Sequence, residues 1–324
     1  MADTAAPPNL FARAIGAAPL ILFAAMLAFI ATQAPNFLTL LTFTLILEQA
    51  LPVVLVCAGL SFVVMAGGDD VVSGGIDLSI PATAVLAAGI TAQWLSQDGT
   101  LIVALLLAFG ASLGVGLINA ILVTRIGVSP LLSTLSMFVA VVGVNNLVTA
   151  SRRINVDDPF IVWLRDGSVA GIPVGIPIVA AIVLVLWHVA HRTRFGLNMQ
   201  AVGGNRDAAE VSGLDTRMLQ GASFLLAALT GFLASLFVLA RGSGSSPGVE
   251  DNLLLEMVLA TFLGAAFSPR RVVTLWGAVL GALLVAAITL GFKSMGVNVF
   301  WLGLIKGALI LAVVAFGALA NRGR

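Results

Sequence analysis

The chain has 324 residues, of which 60% are apolar and only 10% charged. A soluble domain carries roughly 25% charged residues, so a soluble enzyme, a disordered chain and a secreted disulfide scaffold are all excluded. A mean hydropathy of +1.10 leaves a chain whose solvent is mostly lipid. The net charge of +1 gives no sign of a nucleic-acid partner. The one cysteine, Cys57, has no internal disulfide partner, and two histidines are too few for a His-rich metal centre. No metal site and no cofactor bound by this chain are expected.

A membrane helix needs about 20 largely apolar residues, and ten such stretches follow one another. The first, 15–32, has no charge. The tail before it, 1–14, lacks the basic region and small-residue cleavage site of a signal peptide, so this span reads as retained. The second, 43–65, contains Glu48. A loop rich in glycine and aspartate then runs from Gly67 to Ser79. Gly74 and Gly75 permit backbone conformations that interrupt a helix. Asp77 or Ser79 then caps a third span, 80–96, that starts through Pro81. The sharper reading of this loop is a broken helix whose free backbone groups line a cavity. A fourth span, 100–124, follows the turn Gln97-Asp98-Gly99.

The fifth span is 131–150 and the sixth 172–189, with the loop 151–171 between them. Spans four and five carry Asn119, Ser133, Thr134, Ser136, Asn145 and Asn146. These are candidates for an uncharged polar pathway, and equally for interhelical hydrogen bonds. The loop 192–217 comes next. Asn205 is a good N-cap, Asp207 suits the positive end of the helix dipole, and Gly213 suits a C′ position. Ala208, Ala209 and Val211 then give a short surface helix one small, smooth face. Spans 218–240, 253–267, 272–292 and 300–320 complete the set. Glu256 and Lys306 fall inside them. Glu48, Glu256 and Lys306 either line a substrate path or an ion-coupling site, or else the glutamates lie near span ends and reach the interface while Lys306 snorkels. The pairs Gly110/Gly114, Gly277/Gly281 and Gly303/Gly307 are each four apart, which favours close helix contacts.

The expected fold is an all-α integral membrane protein of about ten transmembrane helices, with a single permease domain over 1–324. With the N-terminus inside, ten arginines face the cytoplasm and five basic residues face out, so both termini are expected in the cytoplasm and 151–171 outside. Gly116-Leu-Ile-Asn-Ala-Ile-Leu-Val, followed by Ile126-Gly-Val, is similar to Gly281-Ala-Leu-Leu-Val-Ala-Ala-Ile, followed by Met295-Gly-Val. Copies on spans four and nine would have opposite orientation, which points to an inverted repeat of spans 2–5 and 7–10.

Gly74, Gly75, Ile76, Asp77, Leu78 and Ser79, followed by the cytoplasmic stretch around Gly203, Gly204, Asn205, Asp207, Ala208, Ala209, Ser212 and Gly213, resemble the permease subunits of bacterial ABC importers for monosaccharides. The type is that of the ribose, xylose, arabinose and galactoside permeases. Lys306-Gly307 looks like a third, weaker family feature. The resemblance implies a bacterial inner-membrane protein that pairs with a second copy or a homologous permease. It implies cytoplasmic ATPase subunits that carry the ATP and Mg²⁺, a periplasmic sugar-binding protein, and a coupling helix within 192–217. Two departures stand out: the extra segment Gly67 to Ser73, and Phe267-Ser-Pro-Arg-Arg where the family has a Gly-rich turn. No Walker A motif occurs, so ATP energy would arrive through a partner. The alternatives are an ion-coupled secondary transporter and, using Asp69, Asp70 and Asp77, a Mg²⁺-dependent membrane transferase.

Overall fold

The computed structural model describes residues 10–68, 74–268 and 272–322. The first nine residues, 69–73 of the extra segment, 269–271 and 323–324 lie outside the described residues, as do the side chains of 1–19, 299, 300, 314 and 316–324.

Regular structure is helical apart from two short two-stranded bridges. The helices are α1 (Leu10–Gln33), α2 (Leu40–Gly67), α3 (Ile80–Leu95), α4 (Leu101–Ile121), α5 (Pro130–Thr149), α6 (Pro159–Asp166), α7 (Gly175–Arg192), α8 (Arg194–Gly204), α9 (Arg206–Val211), α10 (Thr216–Gly242), α11 (Val249–Ala265), α12 (Leu275–Ser294) and α13 (Val299–Arg322). Each of the ten apolar stretches becomes a helix. Six of these, α2, α4, α5, α7, α10 and α12, are long and apolar enough to cross a membrane among the described residues. The protein is therefore a multi-pass, all-α membrane protein.

Local chemistry fixes many helix starts. The side chains of Thr39, Ser129, Asp158, Thr193, Asn205, Asp215 and Thr274 each accept a backbone N–H in the first turn of the helix that follows, which satisfies a donor that helix geometry leaves free. The end of α4 widens into a π turn over Leu122–Ile126 and stops at Gly127, whose φ is +84°.

The core is built around α2, nearly all of which is buried from Ala50 to Ala66. It packs most extensively on α10 and also on α12. Gly59 makes the α2–α10 contact close, since a Cβ there would overlap the Thr230 hydroxyl. The halves 40–149 and 216–322 interleave rather than stand apart. The packing of α2 on α12 is matched by α10 on α4, that of α3 on α4 by α11 on α12, that of α3 on α5 by α11 on α13, and that of α3 on α10 by α11 on α2.

The glycine pairs divide. A Cβ at Gly277 would strike Gly264 and one at Gly281 would strike the Ala260 carbonyl, so this pair does let α11 and α12 touch. Gly110, Gly114, Gly303 and Gly307 have open space in front of them. Their expected close contacts are not made among the described residues.

Outside the helices, the loop 151–171 is tied down. Ile154 and Asn155 pair antiparallel with Ser245 and Gly244. Arg153 donates to the Gly242 carbonyl at 2.7 Å, and Arg165 donates to the Ser243 hydroxyl at 3.0 Å.

Candidate functional site

The segment 192–217 folds as two helices, α8 and α9, where the sequence suggested one. Gly196, Gly203 and Gly204 make α8 a poor helix by propensity. It forms because Thr193 caps it and its Met199 and Val202 bury against Phe62 and Ala66 of α2. In α9, the Asn205 side chain accepts from the Ala208 N–H at 2.9 Å. Asp207 stands in the first turn, and Gly213 follows with φ +84°. The cap pattern read from the sequence is thus present.

The face of α9 differs from the expected one. Ala209 is buried in the apolar cluster that α2, α8 and α10 share, while Ala208 and Ser212 are exposed and Val211 is 90% exposed. The outward face is therefore Asp207, Ala208, Val211 and Ser212, and Ala209 is a packing residue. Behind it, Glu210 accepts from the Thr216 hydroxyl at 2.6 Å and from Arg206 at 3.2 Å. The Thr216 bond first, then Arg206, holds its carboxyl below the usual carboxylate range.

The Gly74 to Ser79 loop sits directly above this segment. A Cβ at Gly203 would overlap the Met65 carbonyl, and one at Gly75 would overlap the Val63 carbonyl. Gly75 N–H donates to Gly68 O at 2.9 Å. The glycines are needed here for close approach. The chain is non-helical at Gly74 and Gly75, and Gly75, which is not among the positive-φ glycines, serves the close approach rather than a left-handed turn. Asp77 is 2% exposed, and its Oδ1 accepts from the Ser79 N–H at 2.9 Å and from the Ser79 hydroxyl at 2.6 Å. Ser79 occupies the N-cap position of α3 without a capping bond, its backbone being αR rather than extended, while its hydroxyl donates to Asp77. Asn119 Nδ2 donates to that hydroxyl at 2.8 Å, tying the loop to α4. Ile76 is buried beside them and Leu78 is half-buried.

The polar residues of α4 and α5 are not gathered around one space. Asn119 faces Ser79. Thr134 donates to its own helix at Pro130 O. Ser136 is exposed and Asn146 half-buried. Ser133 Oγ and both amide atoms of Asn145 are buried without a hydrogen-bond partner among the described residues, and the Asn145 side chain lies against Gly89 of α3.

A polar cavity that sequence reading missed lies at the other end of the second half. Its volume is about 470 Å³, and its polar lining is Gln49, Arg241, Asn252, Glu256, Thr289, Lys293 and Lys306. Lys306 Nζ is 2.6 Å from Glu256 Oε1, and Lys306 is only 5% exposed. Glu256 and Lys306 thus pair with each other and line a cavity, a pairing that neither the interface reading of Glu256 nor the snorkelling reading of Lys306 named. Each ion sits where lipid would be costly and is satisfied by the other. The available signal was spacing. Asn252/Glu256, Thr289/Lys293 and Leu302/Lys306 are all i, i+4 pairs, each on one face of its helix.

These features stand beside clear relatives. The fructose import permease protein FrcC of Rhizobium meliloti is 30% identical over 312 residues, covering 92% of this chain and 84% of that protein. The galactofuranose transporter permease protein YtfT of Escherichia coli is 29% identical over 270 residues, covering 83% and 77%. The ribose import permease protein RbsC of Escherichia coli is 25% identical over 299 residues, covering 91% of both. No solved structure matches the chain. A family model described as "Branched-chain amino acid transport system / permease component" matches residues 42–314, and the chain belongs to that family of membrane permeases.

Proposed function

We propose that this chain forms the membrane path of an ATP-driven importer for a monosaccharide or similar small polar solute in a bacterial inner membrane. The observation that carries the proposal is the exposed, capped helix α9, which follows directly on α8, itself seated through Gly203 on the end of α2. A helix so placed transmits a push from a cytoplasmic partner straight into the packed core as a rigid-body tilt. ATPase subunits carrying ATP and Mg²⁺ dock on Asp207, Ala208, Val211 and Ser212. A periplasmic sugar-binding protein delivers solute to the opposite face, and a second copy or homologous permease completes the path. The permease itself does no covalent chemistry. The relatives' printed names favour a sugar over the amino acid of the family description, since fructose, galactofuranose and ribose recur in them.

Ten helices cross the bilayer with both termini in the cytoplasm in this reading. The paired packing of the two halves supports an inverted repeat, because the helix contacts map onto themselves when 2–5 and 7–10 are exchanged. Asn119, Ser133, Thr134, Ser136, Asn145 and Asn146 remain candidates for the path. The unpartnered groups of Ser133 and Asn145 are suited to a solute or a second subunit.

The test is Ala208→Trp. Ala208 is exposed, so the protein should insert and fold, while solute-stimulated ATPase activity of the assembled transporter is abolished. Normal coupled uptake of ribose, galactose or fructose by this variant would sink the proposal. Uptake by the chain alone in liposomes, driven by an ion gradient, would instead establish an ion-coupled transporter.

A further inference from the structure

The cavity between α11, α12 and α13 carries more positive than negative charge. Arg241, Lys293 and Lys306 line it against one carboxylate, Glu256. Lys306 is consumed by Glu256 at 2.6 Å. Arg241 is exposed at the mouth and donates to the Gln49 carbonyl at 3.0 Å. Lys293 makes no ion pair among the described residues. One turn before it on the same face of α12, Thr289 lines the same cavity. It is 5% exposed, and its hydroxyl oxygen has no hydrogen-bond partner among the described residues. Buried polar groups in native proteins are nearly always satisfied, so an orphaned hydroxyl beside an unpaired ammonium marks a place that something else completes.

The volume of about 470 Å³ is within the roughly 300–1,000 Å³ of small-molecule sites. Gln49 and Asn252 offer amides to hydroxyl groups, and Glu256 adds an acceptor. With Lys306 paired to Glu256, Lys293 is the cation one turn from the orphaned Thr289 hydroxyl, and Arg241 adds a second positive charge while donating to the Gln49 carbonyl, so the lining suits an anionic group placed at Lys293. A phosphate dianion would bring a second charge toward Glu256, which repels it.

We propose that this cavity binds a polyhydroxylated solute bearing a carboxylate, that is, a sugar acid, with Lys293 on the carboxylate and Thr289 on an adjacent oxygen. This rests on the import function proposed above and narrows its substrate class. A cationic mouth also raises the local concentration of an anionic solute.

The experiment compares matched probes on the full chain in nanodiscs by titration calorimetry: D-galacturonate and D-glucuronate against D-galactose and D-glucose. At least one acid should bind about tenfold more tightly than its neutral parent. Lys293→Gln should abolish that preference and Lys293→Arg should keep it. Lys293 is exposed, so both variants should fold. Equal affinity for acid and parent, no binding of either acid, or a preference that survives Lys293→Gln would each overturn the assignment. ATP-dependent uptake of a neutral sugar alongside such a result would leave the import function standing. Loss of all ATP-dependent uptake by the assembled transporter would fall on the import function instead.

Discussion

In the first half of the chain, α3 meets α5 where the Asn145 amide lies on Gly89, with neither amide atom hydrogen-bonded. In the second half, α11 meets α13 through the Glu256–Lys306 ion pair. The same helix contact is made twice with opposite chemistry. One is small, neutral and unsatisfied, and the other is charged and mutually satisfied. The two helix breaks differ in the same way. Between α2 and α3, glycine gives close approach, Asp77 holds Ser79, and Asn119 pins the turn to α4. Between α10 and α11, Gly248 takes φ +91°, Glu250 accepts its N–H at 2.9 Å, and Ile154-Asn155 clamp the turn from outside. Leu284 stands where the repeat aligns it with Asn119, so the second break has no polar pin of that kind. A repeated architecture fixes where helices cross and leaves the chemistry of each crossing free to diverge.

The largest effect should come from splitting the ion pair. Lys306→Met removes the 2.6 Å partner of the half-buried Glu256 and leaves it only Lys293 and Arg241 of the cavity lining, at a cost of about 3 kcal/mol, read as a lowered thermal midpoint in detergent. Asn145→Leu at the matching contact removes two unsatisfied groups and should be near neutral or stabilising. Equal destabilisation by the two variants would break the comparison.

Next come the glycines of the two breaks. Gly75→Ala drives a Cβ into the Val63 carbonyl and should cost ~1–3 kcal/mol through overpacking. Gly248→Ala meets open space and suffers only from its backbone angle, at about 1 kcal/mol. A reversed order would show that close approach is not what Gly75 supplies.

The smallest effect concerns pH at helix α9. The Glu210 carboxyl is held below its ordinary range, first by Thr216 and then by Arg206. Its contribution is therefore complete above the unfolded carboxylate pKa and is lost as pH falls through the lower folded value. Glu210→Gln should speed amide exchange in α9 at pH 7, and the difference from wild type should vanish in acid. A difference independent of pH would remove the carboxylate from the explanation.

What the sequence made legible follows the range of each interaction. The apolar runs and the Asn205 cap rest on residues within a turn or a helix length, and both could be read directly. The inward turn of Ala209 depends on where α2 and α10 lie. The pairing of Glu256 with Lys306 joins residues 50 apart in sequence, and no local pattern names the partner. Helix α8 escaped because tertiary packing overrode a glycine-rich composition. Family likeness located the Gly74 to Ser79 motif, but the reason for Gly75 is a contact with Val63, visible only once the chain is folded.

The lengths of the two interrupted helices have a consequence for the surrounding lipid. Helix α3 has 16 residues and α11 has 17, which at 1.5 Å per residue is about 24–26 Å. The hydrocarbon layer is about 30 Å thick. In the ten-span arrangement proposed above, each helix would be shorter than the slab around it, and its polar turn would begin below the membrane surface. The inverted repeat proposed there would open the two turns toward opposite faces. The bilayer then acts as a gauge on both at once, and acyl-chain length sets how deep each turn lies and how much the helices must tilt to relieve it.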